Sequence, residues 1–247
     1  MSEKHLVQQA LKEMASMNLD ISIMHVCGTH QESMLKNGLL SKFEEAGVSI
    51  LQGPGCPVCV TSIREIEEAL ALAREGIRVC AFGDMMRVPG AFASLESLRG
   101  MGCRISIVYS VEDALKIAKN EPVVFMGIGF ETTAPSTAVV LEKACENFSV
   151  LSCHRYVPPA LKAIVNSGEI RVDGLIEPGH VSAIIGMEPY RFLSEKHKIP
   201  QVIAGFEAYD IVLGVLALAR QISDGRAEIE NHYKRVVKDE GNSIALQ

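Results

Sequence analysis

Strand-like runs alternate with helix-like runs along almost the whole chain, and nothing else in the sequence limits its fold as strongly. Ile21–Val26, Val48–Leu51, Ile77–Phe82, Ile105–Tyr109, Val123–Met126, Ser149–Ser152, Val172–Ile176 and Gln201–Ala204 are short and β-rich. Between them lie stretches with apolar residues at helical spacing. Ile63, Ile66, Leu70 and Ala73 follow Thr61 as a candidate cap, and a helix through Lys119 follows Ser110. The spacing also predicts helices over Gln31–Ala46, Ala91–Arg99, Ala134–Cys145, Pro158–Asn166 and Glu207–Gln221, and over Val181–His197 with an interruption at Pro189. The tail Arg226–Val237 reads as an edge strand or loop. Strands alternating with helices of this length imply parallel sheets covered on both faces. Strands in this number could close a barrel, form one doubly wound sheet or make two smaller sheets; the polar dipeptide plus proline at Asn120–Pro122 favours two α/β domains, 1–120 and 121–247, each a parallel sheet flanked by helices.

Composition excludes several classes. Lys plus Arg total 24 against 30 Asp plus Glu, a net charge of −6, which disfavours a phosphate-gripping nucleic-acid binder. The apolar run Ile211–Ala219 falls far short of the roughly 20 residues needed to cross a bilayer, so no membrane association is expected. Met1–Leu19 is polar and amphipathic and lacks the apolar stretch of a secretory leader. The protein is therefore expected in the cytoplasm, and its seven cysteines are expected as thiols, metal ligands or redox centres.

Ligands of parallel α/β sheets bind beyond the carboxyl ends of the strands. Five such loops stand out: Cys27-Gly28-Thr29-His30, Gly53-Pro54-Gly55-Cys56-Pro57-Val58-Cys59, Gly83-Asp84-Met85-Met86-Arg87, Gly127 to Thr133, and Glu177-Pro178-Gly179-His180-Val181-Ser182. Cys56 and Cys59 form the strongest signal. Two thiols at this spacing near a helix start chelate a metal or close a redox disulfide. With Cys27 and His30 they would complete a structural Cys3His zinc site, and alone they suit a thiol–disulfide oxidoreductase. His30 lies one helical turn from Cys27 and is placed to orient or deprotonate it, or to share a metal; the plain alternative is a buried thiol beside a helix start. Cys80, Cys103 and Cys145 read as core residues, and Cys153 is a weak site candidate.

Gly127-Ile128-Gly129 is half of a dinucleotide fingerprint. Thr132 replaces the third glycine and no acidic residue ends the next strand, so a nicotinamide cofactor is not read from it. Amides at Thr132 and Thr133 remain candidates for holding an anion, and Glu131 is either a base or a helix-start carboxylate. His180 is plain surface or a site residue. Met24, Met85 and Met86 suit packing, and the Glu65-Ile66-Glu67-Glu68 run suits a solvated helix face.

Taken together, Cys27-Gly28-Thr29-His30, Gly53 to Cys59, Gly83 to Gly90, Gly129-Phe130-Glu131-Thr132-Thr133, Pro178 to Gly186 and Asn231 to Val236 closely resemble the HypD family of hydrogenase maturation factors over nearly the whole chain. The resemblance implies a scaffold for building the Fe(CN)2CO unit of nickel–iron hydrogenase, a metallocofactor-assembly role that admits redox activity and leaves enzyme status open. Cys27 would hold the iron together with a cysteine of a HypC-like chaperone. A HypE-like partner would donate cyanide, and Cys56 and Cys59 would be redox-active. The resemblance also implies two α/β domains of similar design with a cleft between them, and places His30, Glu131, Thr132, Thr133 and His180 in motifs around that cleft. Family members also carry a section with cysteines for a [4Fe–4S] cluster beyond the position of Gln247. Here no cysteine follows Cys153, so the cluster ligands are absent from this sequence, as expected of a truncated form or a short paralogue.

Overall fold

The computed structural model describes residues 3–168 and 171–247. The chain opens with α1 (Glu3–Ser16), β1 (Ile21–His25), α2 (Gly28–Lys36), α3 (Leu39–Glu45) and β2 (Val48–Gln52). Next come α4 (Ile63–Arg74), β3 (Arg78–Ala81), α5 (Leu95–Gly100), β4 (Ile105–Ile107), α6 (Val111–Ala118), β5 (Val123–Gly129), α7 (Ala134–Glu142) and β6 (Phe148–His154). The last part holds α8 (Val157–Ser167), β7 (Gly174–Pro178), α9 (Gly179–Ile185), α10 (Arg191–Glu195), β8 (Gln201–Ala204), α11 (Ala208–Ser223) and β9 (Ile229–Asn231).

Two compact units result. The first joins Met1–Cys56 to Val157–Gln247, and the second is Pro57–Tyr156. The α/β class with two parallel sheets flanked by helices is as expected, but the division is not. Pro122 was expected to separate domains, yet β5 directly after it pairs with β3, Arg78 against Val123. The proline only turns the chain from α6 into β5. The first unit is assembled from both ends of the sequence, because β1 pairs with β7.

The sheet of the first unit runs β2-β1-β7-β8-β9, all parallel. His25 is in register with Ile176, and Glu177 with Ile203, so the carboxyl ends of β1, β7 and β8 lie side by side. Ile23, Ile176, Val202 and Ala204 pack one face against Ile211, Val212 and Val215 of α11 and against Met14, Met34 and Phe43. The apolar run that was too short for a membrane is this buried helix face, each large side chain contributing about 1.5–3 kcal/mol of burial. β9 forms the edge, in line with the edge-strand reading of the tail.

The sheet of the second unit runs β4-β3-β5-β6, again parallel. Ile66, Leu70 and Ala73 of α4 cover Val79 and Ala81, while Ala114 and Ala118 of α6 pack with Cys80 and Phe125. Ser62, not Thr61, caps α4: its hydroxyl accepts from the Glu65 amide, and the Glu65 carboxylate accepts from the Ser62 amide at 2.8 Å. Thr61 instead donates its hydroxyl to the Pro57 carbonyl at 2.9 Å. Glu65 also takes a two-pronged bond from Arg155, at 2.7 and 2.8 Å, so it is not part of a solvated face.

Other boundaries moved for local reasons. The helix expected over Gln31–Ala46 breaks where Gly38 adopts a left-handed φ of 57°. The helix expected from Ala91 starts at Leu95, where Ser94 supplies the cap. β5 extends to Gly129, and β7 takes in Glu177 and Pro178, both expected in loops.

Candidate functional site

β1 delivers Cys27 to the start of α2. Cys27 is the N-cap residue, extended at φ −150° and ψ 126°, and buried. The strand-end segment after β2 folds over it. The Gly53 amide donates to the His25 carbonyl at 2.8 Å, and the Gly28 amide donates to the Gly55 carbonyl at 3.1 Å. The approach is close enough to demand glycine. A Cβ on Gly55 would stand 2.1 Å from the Cys27 nitrogen, and one on Gly53 would stand 2.8 Å from Met24 Sδ and Val26 Cγ1. The layering brings Cys56 beside the start of α2, its Cβ 3.8 Å from where a Cβ on Gly28 would lie. Two sulfur-bearing residues thus meet at a helix N-terminus, whose amides favour an anionic ligand.

His30 sits one turn further along α2 and is fully buried. Its Nε2–H points to the carbonyls of Gly205 at 3.0 Å and Ala204 at 3.3 Å, beyond the end of β8. That fixes the neutral tautomer and leaves Nδ1 as an acceptor with no hydrogen-bond partner among the described residues. Burial lowers its pKa to about 4, with His25 and His180 adding to the effect. His25, at the end of β1, is buried too. Its Nε2 donates to the Gln31 side-chain carbonyl at 2.8 Å, and its ring meets His30 edge-on with centroids 6.3 Å apart. Burial lowers its pKa as well. His180, in the first turn of α9, is exposed and stacks on Phe206 at 4.1 Å, with its pKa lowered by partial burial.

Glu177 is the outlier of this end of the sheet. It is fully buried in β7, neither carboxylate oxygen has a hydrogen-bond partner among the described residues, and burial raises its pKa to about 8. A carboxyl in such surroundings is held as the neutral acid near pH 7.

The second unit holds the remaining candidates. Cys59 is exposed in the turn 57–60 ahead of α4, so the Cys56–Cys59 segment precedes the helix instead of capping it. Glu131 is buried, Thr132 exposed, and Thr133 is the N-cap residue of α7. The Thr133 hydroxyl donates to the carbonyls of Phe130 at 3.2 Å and Ile128 at 3.3 Å, and its amide donates to Phe130 at 3.1 Å. That amide is therefore engaged in the turn, contrary to the expected anion role. Gly129 makes the turn with a φ of 143°, where a Cβ would collide with Thr133 Oγ1.

The structure thus brings Cys27, His30, Cys56 and His180 to one strand-end cluster of the first unit, and places Cys59, Glu131, Thr132 and Thr133 in the second. Among the described residues no group of three or more His, Cys, Asp or Glu is arranged to hold a metal. With Nε2 on backbone carbonyls, only Nδ1 of His30 is left to face a metal, and the expected Cys3His zinc grouping is not found among the described residues. The other thiols sort more simply. Cys80 and Cys153 are core residues whose thiols burial pushes up to about 11. Cys103 is half-buried and packs against the core of the second unit, whereas Cys145 is exposed because α7 ends before it, at Glu142, and is not the core residue expected. Met24, Met85 and Met86 are buried packing residues. No helix among the described residues is long and apolar enough to cross a membrane.

Three residues of this region were not legible as site candidates: His25, Glu177 and Phe206. His25 follows an apolar strand pattern, Glu177 was read as a loop residue, and Phe206 lies between a strand and a helix.

Comparison with known proteins is consistent across the chain. The HypD family model, described as the hydrogenase formation hypA family, matches residues 3–247. The hydrogenase maturation factor HypD of Rhodobacter capsulatus is 45% identical over 234 residues, covering 92% of this chain and 62% of the relative. That of Rhizobium leguminosarum bv. viciae is 45% identical over 237 residues, covering 90% and 61%. That of Escherichia coli (strain K12) is 38% identical over 252 residues, covering 99% and 67%. The chain spans less than two thirds of the length of the first two.

Proposed function

The chain belongs to the HypD family of hydrogenase formation proteins, and from that premise we propose that it is a scaffold on which the Fe(CN)2CO unit of nickel–iron hydrogenase is assembled. Iron is the cargo. Cys27 holds it through its thiolate, a soft ligand suited to iron that carries cyanide and carbonyl. A HypC-like chaperone contributes a second cysteine and a HypE-like protein supplies cyanide. Cys56 and Cys59 act as a dithiol: closing their disulfide passes two electrons and two protons to an oxidised precursor of the diatomic ligands, which is reduced in the same step. His30 and His180 serve the first unit's cluster, and Glu131, Thr132 and Thr133 are the second unit's own candidate group for substrate binding.

The observation that carries this reading is the glycine-built approach of the Gly53–Cys56 segment to Cys27. Two glycines have no room for a Cβ, and the result is a pair of sulfur residues at one helix start. A [4Fe–4S] cluster does not fit the same way. It needs four thiolates, and no group of even three candidate ligands is present among the described residues.

The test is anaerobic purification with a HypC-like chaperone, followed by metal analysis and infrared spectroscopy. Wild-type protein should carry iron and show CO and CN stretching bands, both lost in Cys27→Ala. Bands that persist unchanged in Cys27→Ala would overturn the assignment.

A further inference from the structure

Phe206 is the ring on which two histidines of the cluster rest. His30 lies on it with centroids 4.9 Å apart and planes 35° apart, and His180 at 4.1 Å and 28°. The backbone of the same short segment holds His30 from a second side, through the carbonyls of Ala204 and Gly205. The Phe206 carbonyl accepts the Ser33 hydroxyl at 2.7 Å, which ties the segment to α2 again, three residues after His30.

The segment is pinned from behind as well. A Cβ on Gly205 would stand 2.2 Å from Asp210 Oδ2 and 2.7 Å from the Tyr233 ring. Tyr233 meets Phe206 edge-on at 5.8 Å and 82°. The Arg235 guanidinium lies 4.6 Å from the Tyr233 centroid and pairs with buried Asp210 at 2.8 Å. The tail after β9 and the first turn of α11 therefore clamp one aromatic residue against two imidazoles.

We propose that Phe206, braced by Tyr233, is a positioning residue that holds His30 in its Nε2–H tautomer and sets the orientation of the exposed His180. With the proton of Nε2 directed at carbonyls, the buried Nδ1 lone pair is the only acceptor His30 can present to a group bound at Cys27. Without the ring, His30 loses one wall and the 204–206 carbonyls lose their alignment. Both tautomers then become accessible and the acceptor is no longer fixed. The link to iron rests on the scaffold reading above; the link to the tautomer does not.

The full chain with ¹⁵N-labelled histidine separates the two. At pH 7 and without iron, nitrogen shifts of wild-type protein should report one His30 tautomer, protonated at Nε2. Phe206→Leu keeps the apolar volume but not the ring. It should give a mixed tautomer population for His30 and a changed environment for His180, while Phe206→Tyr restores both. In anaerobic iron titrations with the chaperone, Phe206→Leu should weaken iron binding by about tenfold, the usual effect of losing a group that orients a ligand shell, and Phe206→Tyr should recover it. A wild-type tautomer pattern or wild-type iron binding in Phe206→Leu would reduce the residue to packing and overturn the proposal. If wild-type protein binds no iron, the scaffold reading fails, and the nitrogen shifts still decide the role of Phe206.

Discussion

The two units share a parallel four- or five-stranded design, but the carboxyl ends of their sheets are built differently. In the second unit, several polar groups there are matched locally. Thr133 bonds to the carbonyls of its own turn, His154 lies 3.3 Å from Ser152 and 3.5 Å from Thr137, and Arg155 grips Glu65. In the first unit, His25, His30 and Glu177 are each buried with a side-chain atom that lacks a hydrogen-bond partner among the described residues. Leaving a polar atom buried in that state costs roughly 1–3 kcal/mol. A chain selected for stability alone would not keep three of them at one strand-end edge, and buried ionisable groups with shifted pKa values gather where ligands are handled. The difference supports the first unit's edge as the proposed site.

The largest expected effect attacks the close approach itself. Gly55→Ala drives a Cβ into the backbone of Val26 and Cys27, which cannot move aside. It should destabilise the chain by roughly 3 kcal/mol or more, read as the shift of a chemical-denaturation midpoint. Gly100→Ala at the end of α5 meets no atom within 4 Å and should be neutral or slightly stabilising. Equal effects at the two glycines would break the comparison.

Glu177 and His30 give opposite pH limbs of comparable size. Burial raises the native Glu177 pKa to about 8, from the 4.5 usual for a glutamate in water. The folded state therefore holds a proton that the unfolded chain releases, and stability falls as pH rises from about 4.5 to 8. Glu177→Gln should remove this limb and stabilise the protein by roughly 2–4 kcal/mol at pH 8, with little change at pH 4. The native His30 pKa of about 4 is lowered from 6.5. The unfolded chain binds the proton first, and stability falls as pH drops from about 6.5 to 4. His30→Gln should flatten that acid limb, worth about 3 kcal/mol, in denaturation curves recorded across this window.

The smallest effect belongs to the second unit. Arg155→Ala removes a half-exposed partner of Glu65 and should cost about 1 kcal/mol or less, because water and salt screen such a pair. A loss of several kcal/mol there would show that the second unit's edge is no more robust than the first.

Much of this was readable from local pattern. The strand–helix alternation gave both parallel sheets, and the Gly53-Pro54-Gly55 turn with Cys56 gave the segment that meets Cys27. What the pattern did not carry was long-range pairing. Nothing in the residues near Ile23 announces Gly174 as its neighbour, so a proline at 122 was taken for a boundary and the first unit's two-part construction was hidden. Phe206 was invisible for the same reason, since its meaning comes from His30 and His180, which reach it from α2 and α9. Glu177 was visible as a residue but not as an anomaly, because its burial depends on the strand extending two residues further than the apolar run suggests.

The proposed iron site is the first unit's strand-end edge, with Cys27 as the thiolate ligand. Anaerobic iron titration of the full chain with a HypC-like chaperone, in wild-type, Cys27→Ser and Cys145→Ser forms, tests it most directly. Cys145 is exposed just beyond the end of α7 and serves as the control thiol. The account predicts one iron per chain for wild-type and Cys145→Ser and none retained by Cys27→Ser; undiminished iron in Cys27→Ser would contradict it.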